Sequence, residues 1–245
     1  MKKTLLLTGA SGEIGFKTFT KLVNEDFQII ASCKRGKIFS NLVKSSKIRN
    51  KNYEFIPIDL SNINATVKQI QKIIKKYKFI ECFVNCAGVV NRSSFLEENI
   101  AAYEKLMNIN FISQMMIIKQ ILPEMINNKA GKIVSLSSQM AKMPHPNAAP
   151  SYEVSKSSIN TLFRHLVFHY AKHNINFNIV APGTIKSPMQ RTMKPEKLKE
   201  LKRNIPSNRF GSATEVSELI SFLLSNKSNY INGAQVNING GSYLD

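Results

Sequence analysis

The sequence predicts one α/β domain over residues 1–245, in which a doubly wound parallel sheet of about seven strands carries helices on both faces. Apolar runs alternate with amphipathic stretches along the whole chain, which favours a parallel sheet. The inner runs are almost continuous in Val, Ile, Leu and Phe, as is typical of strands covered on both faces. No linker, repeat or change in composition divides the chain.

The strands are predicted at seven short apolar runs, which are residues 4–8, 28–33, 53–57, 79–85, 132–137, 176–181 and 235–238. The clearest predicted helices are residues 63–76, 103–127, 152–172 and 213–224. The first strand is too short for a signal peptide, because the glycine-rich residues 8–12 interrupt it at once. No run approaches the roughly 20 apolar residues needed to cross a bilayer. We therefore expect a cytoplasmic protein with no membrane partner.

Charge is the one abnormal feature of the composition, with 34 Lys and Arg against 16 Asp and Glu and a formal net charge of +18. The lysines are scattered, and no basic stripe is interleaved with aromatic residues as in single-strand binders. We interpret the charge as a solvated surface and expect no nucleic-acid partner, with an acidic carrier protein as the alternative. Three cysteines, Cys33, Cys82 and Cys86, do not suggest a disulfide framework.

The first predicted strand runs into a glycine-rich turn that a helix follows. Glycines let the backbone approach a pyrophosphate, and a helix N-terminus offers unpaired N–H groups to an anion. This context at the start of a βαβ unit is what a Rossmann-type dinucleotide site requires. The predicted cofactor contacts here are Gly9, Ser11, Gly12, Glu13, Ile14 and Gly15, although Glu13 brings a negative charge near the phosphates.

The end of the second strand indicates which nicotinamide cofactor binds. A carboxylate there binds the ribose 2′-hydroxyl, whereas a basic residue accommodates a 2′-phosphate. Residues 31–36 contain no carboxylate but include Lys34 and Arg35. We therefore predict NADP(H) as the preferred cofactor, with NAD(H) as the alternative.

Tyr152 and Lys156 lie one helical turn apart on the same face of a predicted helix. A nearby cation favours the ionised form of a phenol, so the pair suits proton exchange with a carbonyl or alcohol oxygen. Polar and glycine residues follow three other strands, at the edge where open α/β sheets bind ligands. They are Ser137-Ser138, residues 85–88 and residues 182–187.

Together these motifs resemble the short-chain dehydrogenase/reductase family over the full length of the chain. The matching motifs, in the family's order, are the 8–15 turn, Asp59-Leu60, Asn85-x-Ala87-Gly88, Ser138, Tyr152-x-x-x-Lys156, Pro182-Gly183 and Asn239-Gly240-Gly241. The segment 195–211 and the chain ending are most similar to 3-oxoacyl-[acyl-carrier-protein] reductases. Two departures are Glu13, where the family usually has glycine, and Cys86, where it commonly has a second asparagine.

The resemblance implies a role for each matching residue. Ser138 would hold the substrate oxygen, Tyr152 would exchange the proton, Lys156 would lower the pKa of the tyrosine and bind the nicotinamide ribose, and Asn110 would anchor a relay water. The resemblance also implies cofactor contacts from Asp59, Leu60, Asn85, Ala87, Gly88, Tyr152, Lys156, Pro182, Gly183, Ile185 and Ser187.

The predicted activity is NADPH-dependent reduction of a ketone by an oxidoreductase acting on C=O and CH–OH groups, with an acyl-carrier-bound 3-oxoacyl substrate favoured. Lys129, Lys172 and Arg191 would be the docking charges for the carrier, and residues 188–211 would form a lid. The alternatives are a small-molecule sugar, polyol or secondary-metabolite ketone as substrate, or a non-catalytic NADP-binding regulator. The family also implies a homo-oligomer, tetramer or dimer. His165, His169 and His173 repeat at zinc-like spacing but lack a further ligand, so we predict no metal.

Overall fold

We describe a computed structural model that covers residues 2–50, 52–144, 148–186 and 193–244. Its parallel strands form one sheet in the order β3-β2-β1-β4-β5-β6-β7. The strands are β1 Lys3–Thr8, β2 Phe27–Ser32, β3 Tyr53–Phe55, β4 Cys82–Asn85, β5 Gly131–Leu136, β6 Ile175–Pro182 and β7 Gln235–Ile238. The predicted doubly wound parallel sheet is confirmed.

Helices cover both faces of this sheet. The α-helices are α1 Glu13–Leu22, α2 Gly36–Ser45, α3 Ile63–Tyr77, α4 Ile100–Met107, α5 Ser113–Asn128, α6 Pro150–Tyr170, α7 Pro195–Arg203 and α8 Ala213–Leu224. A π-helical turn, Asn108–Ile112, joins α4 to α5. Short 3₁₀ turns lie at Gln139–Ala141, Ala171–His173 and Asn226–Ser228.

The alternation of side chains along β1 explains why two hydrophobic cores form. Leu5 and Leu7 enter the core that includes buried residues of α1 and α8, whereas Leu6 enters the core that includes residues of α3, α5 and α6. All three leucines are fully buried. Each contributes about 1.5–3 kcal/mol to folding on transfer estimates, so β1 is an anchored base for the turn that follows it.

The strand order reverses direction at β1, which lies between β2 and β4. The connections on either side of this point diverge, and a crevice opens beyond the carboxyl ends of β1 and β4. The glycine-rich turn after Thr8 and the loop after Asn85 therefore lie side by side at this crevice.

Two predicted elements differ most from the structure. Strand β4 begins at Cys82 and not at residue 79, because Lys78 ends α3 with a positive φ of 63° and a turn follows. The predicted single helix over 103–127 begins at Ile100 and is divided by the π-helical turn. No described helix is both long and apolar enough to span a membrane.

Candidate active site

The glycine-rich turn allows three backbone segments to approach closely. Gly9 has a positive φ of 71°, and a Cβ placed on it would lie 2.5 Å from the Ala87 nitrogen. A Cβ on Gly15 would lie 2.1 Å from the Gly9 carbonyl oxygen. Gly12 differs, because a Cβ there would make an ordinary contact of 3.4 Å. Gly9 and Gly15 are thus the two positions where packing requires glycine.

A pocket of about 270 Å³ opens beside this turn, and we call it the phosphate-side pocket. It lies between the carboxyl ends of β1, β2 and β4, where the topology places the crevice. Its lining residues are Thr8, Gly9, Ser11, Gly12, Ser32, Cys33, Lys34, Ile58, Asp59, Leu60, Ser61, Cys86, Ala87, Gly88, Val89 and Ile109. The pocket therefore brings together predicted residues from the turn, the end of β2, the Asp59-Leu60 segment and the loop after β4.

The Lys34 ammonium lies 2.7 Å from the Asp59 carboxylate in this pocket. Lys34, together with hydrogen bonds from Ser61, holds the pKa of Asp59 below its usual value. Both side chains are partly solvent-exposed, 65% for Lys34 and 39% for Asp59, so salt screens their attraction. The basic group that the sequence predicts beside the cofactor ribose is thus already paired across the pocket.

Four of the predicted cofactor contacts among the described residues line neither this pocket nor the catalytic pocket defined next, namely Arg35, Glu13, Gly15 and Asn85. Arg35 is exposed at the N-terminus of α2, and Glu13 is exposed on the first turn of α1. Gly15 is buried beneath the Gly9 carbonyl, so it shapes the turn and offers no surface to a ligand. The side chain of Glu13 is therefore not among the groups that surround the phosphate-side pocket.

A second pocket, of about 460 Å³, holds the predicted proton-transfer residues, and we call it the catalytic pocket. It shares residues 86–89 with the phosphate-side pocket, so the two form one continuous cleft. Its lining residues are Ile14, Cys86, Ala87, Gly88, Val89, Val90, Leu136, Ser137, Ser138, Met140, Tyr152, Lys156, Pro182, Gly183 and Ile185. Predicted residues that are separated along the chain thus meet at the carboxyl edge of the sheet.

The Tyr152 phenol lies beside the Ser138 hydroxyl in the catalytic pocket. Burial raises the pKa of the phenol, and the interaction with Ser138 partly opposes this effect. The Ser138 hydroxyl also accepts a 3.1 Å bond from the Met140 N–H, which holds its position. The neighbouring Ser137 instead donates to the Lys156 carbonyl oxygen at 3.3 Å. Of the two serines, Ser138 is therefore the one that contacts Tyr152.

Lys156 is only 4% exposed, and its ammonium lies 5.8 Å from the centre of the Tyr152 ring. One N–H donates to the Leu136 carbonyl oxygen at 2.8 Å, which leaves two of the three ammonium donors for other contacts. Burial lowers the pKa of this lysine to about 8. A Cβ on Gly88 would lie 3.4 Å from the ammonium, so the glycine keeps this side of the pocket open.

Asn110 is completely buried in the π-helical turn. Its carbonyl oxygen accepts from the Val89 N–H at 2.9 Å, and its amide donates to the Val89 carbonyl at 2.9 Å and to Ser155 Oγ at 3.1 Å. The side chain thus connects the loop after β4 to Ser155 of α6, which lies three residues, about one helical turn, after Tyr152. These contacts place Asn110 beside the predicted relay.

Asn85 lies beneath the cleft rather than on its surface. Its side chain accepts from the Thr8 hydroxyl and from the Ala87 N–H at 3.3 Å, and it donates to the side-chain oxygen of Gln114. Ser135 donates to the same Gln114 oxygen at 2.8 Å. This buried polar network joins β1, β4, β5 and α5, and it fixes the loop that both pockets share. Sequence reasoning missed Thr8, Gln114 and Ser135, whose only signal is a polar residue within an apolar run.

The end of the cleft is only partly described. Ile185 lines the catalytic pocket and forms a β-bridge with Gly211, so the segment just before α8 lies beside the end of the cleft. The predicted contact Ser187, the docking charge Arg191 and the start of the predicted lid lie outside the described residues. Lys129 and Lys172 are exposed but precede β5 and β6, at the sheet edge opposite this chain's own cleft.

The repeated histidines lie on the outer part of α6 and beyond it. The His165 and His169 rings are 4.4 Å apart between centres. Within the described ranges, no three His, Cys, Asp or Glu side chains are grouped as a metal site would require. Cys82 is buried in β4, and burial raises the pKa of both Cys82 and Cys86 to about 12.

Comparisons with known proteins agree with this arrangement. A family model described as Enoyl-(Acyl carrier protein) reductase matches residues 9–243. A 3-oxoacyl-[acyl-carrier-protein] reductase of Buchnera aphidicola is 28% identical, covering 99% of this chain and 98% of the relative. An acetoacetyl-CoA reductase of Acinetobacter is 27% identical over 99% of this chain and 98% of its own length.

Solved structures show the same fold. A 3-oxoacyl-[acyl-carrier protein] reductase from Brucella melitensis superposes with a TM-score of 0.91 at 24% identity, covering 99% of this chain and 92% of that one. A structure described as a putative gluconate dehydrogenase from Agrobacterium tumefaciens superposes with a TM-score of 0.90 at 23% identity, covering 98% and 95%. The chain belongs to the short-chain dehydrogenase/reductase family and is an oxidoreductase acting on C=O and CH–OH groups.

Proposed function

We propose that the protein is an NADPH-dependent ketoreductase whose substrate is a 3-oxoacyl thioester and whose general acid is Tyr152. The observation that carries this proposal is that the Tyr152 and Ser138 hydroxyl groups meet in one pocket beside the buried Lys156. Two hydroxyl groups that meet in this way can both bond a single carbonyl oxygen. The pocket is continuous with a glycine-rich turn suited to a dinucleotide.

The cleft fits a nicotinamide dinucleotide at both ends. The close approach of Gly9, Gly15 and Ala87 makes a cradle that larger side chains would fill, and the N-terminus of α1 opens toward it. Lys34 would hold a 2′-phosphate, Asp59 and Leu60 would lie near the adenine, and residues 182–187 would hold the carboxamide. When bound, the cofactor supplies the hydride that reaches the carbonyl carbon.

The chain's own residues would then bind and protonate the oxygen of the substrate ketone. Ser138 holds the ketone oxygen, and Tyr152 gives its phenolic proton to that oxygen while the carbonyl carbon receives the hydride. The product would be an alcohol, and the tyrosine would be left as a phenolate. Burial alone makes phenolate unfavourable, so the nearby Lys156 charge is needed to stabilise it. General acid–base catalysis of this kind contributes about 10²–10⁴-fold to a rate.

The substrate proposal is supported by the relatives and by charge. The named relatives in Buchnera and Acinetobacter reduce 3-oxoacyl and acetoacetyl thioesters, by their names. An acidic acyl carrier would suit a chain of net charge +18. Helix α7 carries three lysines and one arginine against two glutamates, and along the chain it lies between Ile185 and Gly211, which pair at the end of the cleft.

The testing experiment follows NADPH oxidation with acetoacetyl thioesters of coenzyme A and of acyl carrier protein. We expect turnover that falls about 10²–10⁴-fold in the Tyr152→Phe variant, while NADPH still binds. Because the matching family model is described as an enoyl reductase, a crotonyl thioester is the discriminating second substrate. A panel of sugars, polyols and simple ketones, with NADH in parallel, tests the other substrates.

Each outcome is informative. Turnover of acetoacetyl but not crotonyl thioester, lost in Tyr152→Phe, supports the proposal. Turnover of crotonyl thioester alone, or of a sugar alone, overturns the substrate. Full activity in Tyr152→Phe overturns the mechanism, and NADPH binding without turnover of any substrate favours a non-catalytic regulator.

A further inference from the structure

The helix that carries Tyr152 has no N-terminal cap of its own. Ala149 is at the N-cap position, where a Ser, Thr, Asp or Asn side chain would normally accept a backbone N–H. Pro150 follows and has no N–H, and the Tyr152 N–H bonds to the Ala149 carbonyl at 2.9 Å. The Ser151 N–H is therefore the buried donor in the first turn that needs an acceptor from elsewhere in the chain.

Glu98 supplies this acceptor from a distant part of the sequence. One carboxylate oxygen accepts from the Ser151 N–H at 3.2 Å, and the other accepts from the Ser151 hydroxyl. Asn91 donates its amide to the second oxygen at 2.8 Å, which holds the carboxylate in place. Glu98 thus caps α6 from the loop between β4 and α4, 53 residues before Ser151.

A backbone contact joins the same two segments. The Ala149 N–H donates to the Asn91 carbonyl oxygen at 2.9 Å, immediately after Val89 and Val90 of the catalytic pocket. Asn91 and Glu98 therefore attach the loop on one side of the catalytic pocket to the first turn of the helix on the other side. The attachment lies directly before Tyr152 along the chain.

The charge of Glu98 also suits this location. Burial acts to raise its pKa, but the hydrogen bonds from Ser151 and Asn91 outweigh burial and hold the pKa below its usual value. The group is thus an ionised carboxylate at a helix N-terminus, where a negative charge is favourable because of the helix dipole. The carboxylate has two oxygens, so one accepts from the Ser151 N–H while the other accepts from the Ser151 hydroxyl.

We propose that Glu98 is a positioning residue for proton transfer: by capping α6 at Ser151 it holds the Tyr152 phenol at bonding distance from Ser138. This inference rests on the proposed role of Tyr152 as the general acid. Proton transfer depends on the position of a few atoms, and a displacement of about 1 Å can cost on the order of 100-fold in rate. A freed first turn of α6 would produce such a displacement.

Glu97 provides a matched control in the same loop. Its carboxylate accepts from the Ser94 N–H at 3.1 Å and from the Ser94 hydroxyl at 2.8 Å. These bonds lie within the loop itself and do not involve α6. Glu97→Ala and Glu98→Ala remove the same group from adjacent positions. Glu98→Gln keeps an amide oxygen that can accept from Ser151, and it serves as the conservative variant.

We expect Glu98→Ala to lower kcat about 10- to 100-fold, with the KM and Kd for NADPH within about twofold of the unaltered protein. The primary isotope effect on kcat with deuterated NADPH should increase, because the chemical step becomes slower. Glu98→Gln should recover most of kcat, and Glu97→Ala should behave as the unaltered protein. Circular dichroism and melting temperature verify that each variant is folded.

A kcat for Glu98→Ala within twofold of Glu97→Ala overturns the inference, and so does a loss shared equally by kcat and NADPH binding. Should Glu98→Ala fail to fold, Ser151→Ala removes only the hydroxyl contact and must show the same separation of kcat from KM on a smaller scale. Tyr152→Phe distinguishes the two proposals. An active Tyr152→Phe defeats the proposed mechanism, whereas an inactive Tyr152→Phe beside a normal Glu98→Ala defeats the positioning role alone.

Discussion

The phosphate-side pocket and the catalytic pocket share residues 86–89, but different parts of the chain shape them, backbone in the first and buried polar side chains in the second. Close backbone approach at Gly9 and Gly15 shapes the first, and its charged pair, Lys34 and Asp59, is partly exposed to solvent. The second holds polar side chains away from water, with Ser138 6% and Lys156 4% exposed.

This difference determines how each pocket responds to change. A pocket made of backbone tolerates altered side chains unless a Cβ enters the space where two segments meet. A pocket made of buried polar groups depends on each atom, because a buried group without its partner costs about 1–3 kcal/mol. We therefore expect the largest functional effects in the catalytic pocket and smaller, salt-dependent effects in the phosphate-side pocket.

Lys156→Met should have the largest effect, and it should change activity and stability in opposite directions. We expect activity to fall about 100-fold or more, since the charge that favours phenolate is lost. The free energy of unfolding at pH 7 should nevertheless rise by about 1–3 kcal/mol. The reason is that burial lowers the pKa of Lys156 to about 8, so the folded protein holds this proton less tightly than the unfolded chain does. The lost bond to the Leu136 carbonyl offsets part of the gain.

The pH dependence of the free energy of unfolding tests whether burial of Lys156 is the cause. An unfolded lysine titrates near pH 10.4, so between about pH 8 and 10 the unfolded chain binds more protons than the folded protein. The unaltered protein should therefore gain stability as pH rises through this window, and the advantage of Lys156→Met should shrink. Denaturant unfolding at pH 7 and pH 10 measures this, with the exposed Lys68→Met as control. An advantage that is equal at both pH values would contradict the assignment to burial.

Two glycines of the phosphate turn offer a matched pair for the next largest effect. Gly9→Ala introduces a Cβ 2.5 Å from backbone at a positive φ, whereas Gly12→Ala makes only a 3.4 Å contact. Left-handed backbone costs a non-glycine residue about 1–2 kcal/mol before any clash is counted. We expect Gly9→Ala to lower the melting temperature and to weaken NADPH binding at least tenfold, and Gly12→Ala to do neither. Thermal melts and fluorescence titration with NADPH measure both, and equal effects at the two glycines would refute the packing argument.

Local pattern was sufficient for much of the fold and for predicting which residues meet in the catalytic pocket. The apolar run of β1 and the glycines after it predict a strand, a turn and a helix because each signal lies within a few residues. The predicted edge of the sheet does bring Ser138, Tyr152 and Lys156 together. The sequence alone does not show whether Ser137 or Ser138 points toward Tyr152. In the structure Ser137 bonds to the Lys156 carbonyl, whereas Ser138 interacts with Tyr152.

Features that depend on distant contacts were not predictable. The π-helical turn that divides the predicted helix over 103–127 contains no Pro or Gly, and Asn110 within it bonds to Val89, 21 residues away. The cap of α6 by Glu98 has no local signal, because the acceptor and donor are 53 residues apart. The Lys34–Asp59 pair likewise joins two segments that only the parallel sheet brings together.

The smallest expected effect concerns cofactor choice, for which the sequence predicts both Lys34 and Arg35 as contacts of the 2′-phosphate. In the structure Lys34 lines the phosphate-side pocket, whereas Arg35 is exposed outside it. We expect Lys34→Ala to raise the KM for NADPH about tenfold, as loss of a charge-assisted hydrogen bond worth about 1.5 kcal/mol or somewhat more would. The KM for NADH should change little, and Arg35→Ala should have a smaller effect on either cofactor.

Salt distinguishes a phosphate contact from an indirect effect on the pocket. Lys34 is 65% exposed, so the difference between the unaltered protein and Lys34→Ala should diminish from low to high ionic strength. Lys37→Ala, an exposed lysine on α2, is the control for a general loss of positive charge. If Arg35→Ala proves the more damaging variant, the 2′-phosphate lies toward α2 and not toward Asp59. Equal losses with NADPH and NADH in Lys34→Ala would instead mean that its pairing with Asp59 shapes the adenine side of the pocket for both cofactors.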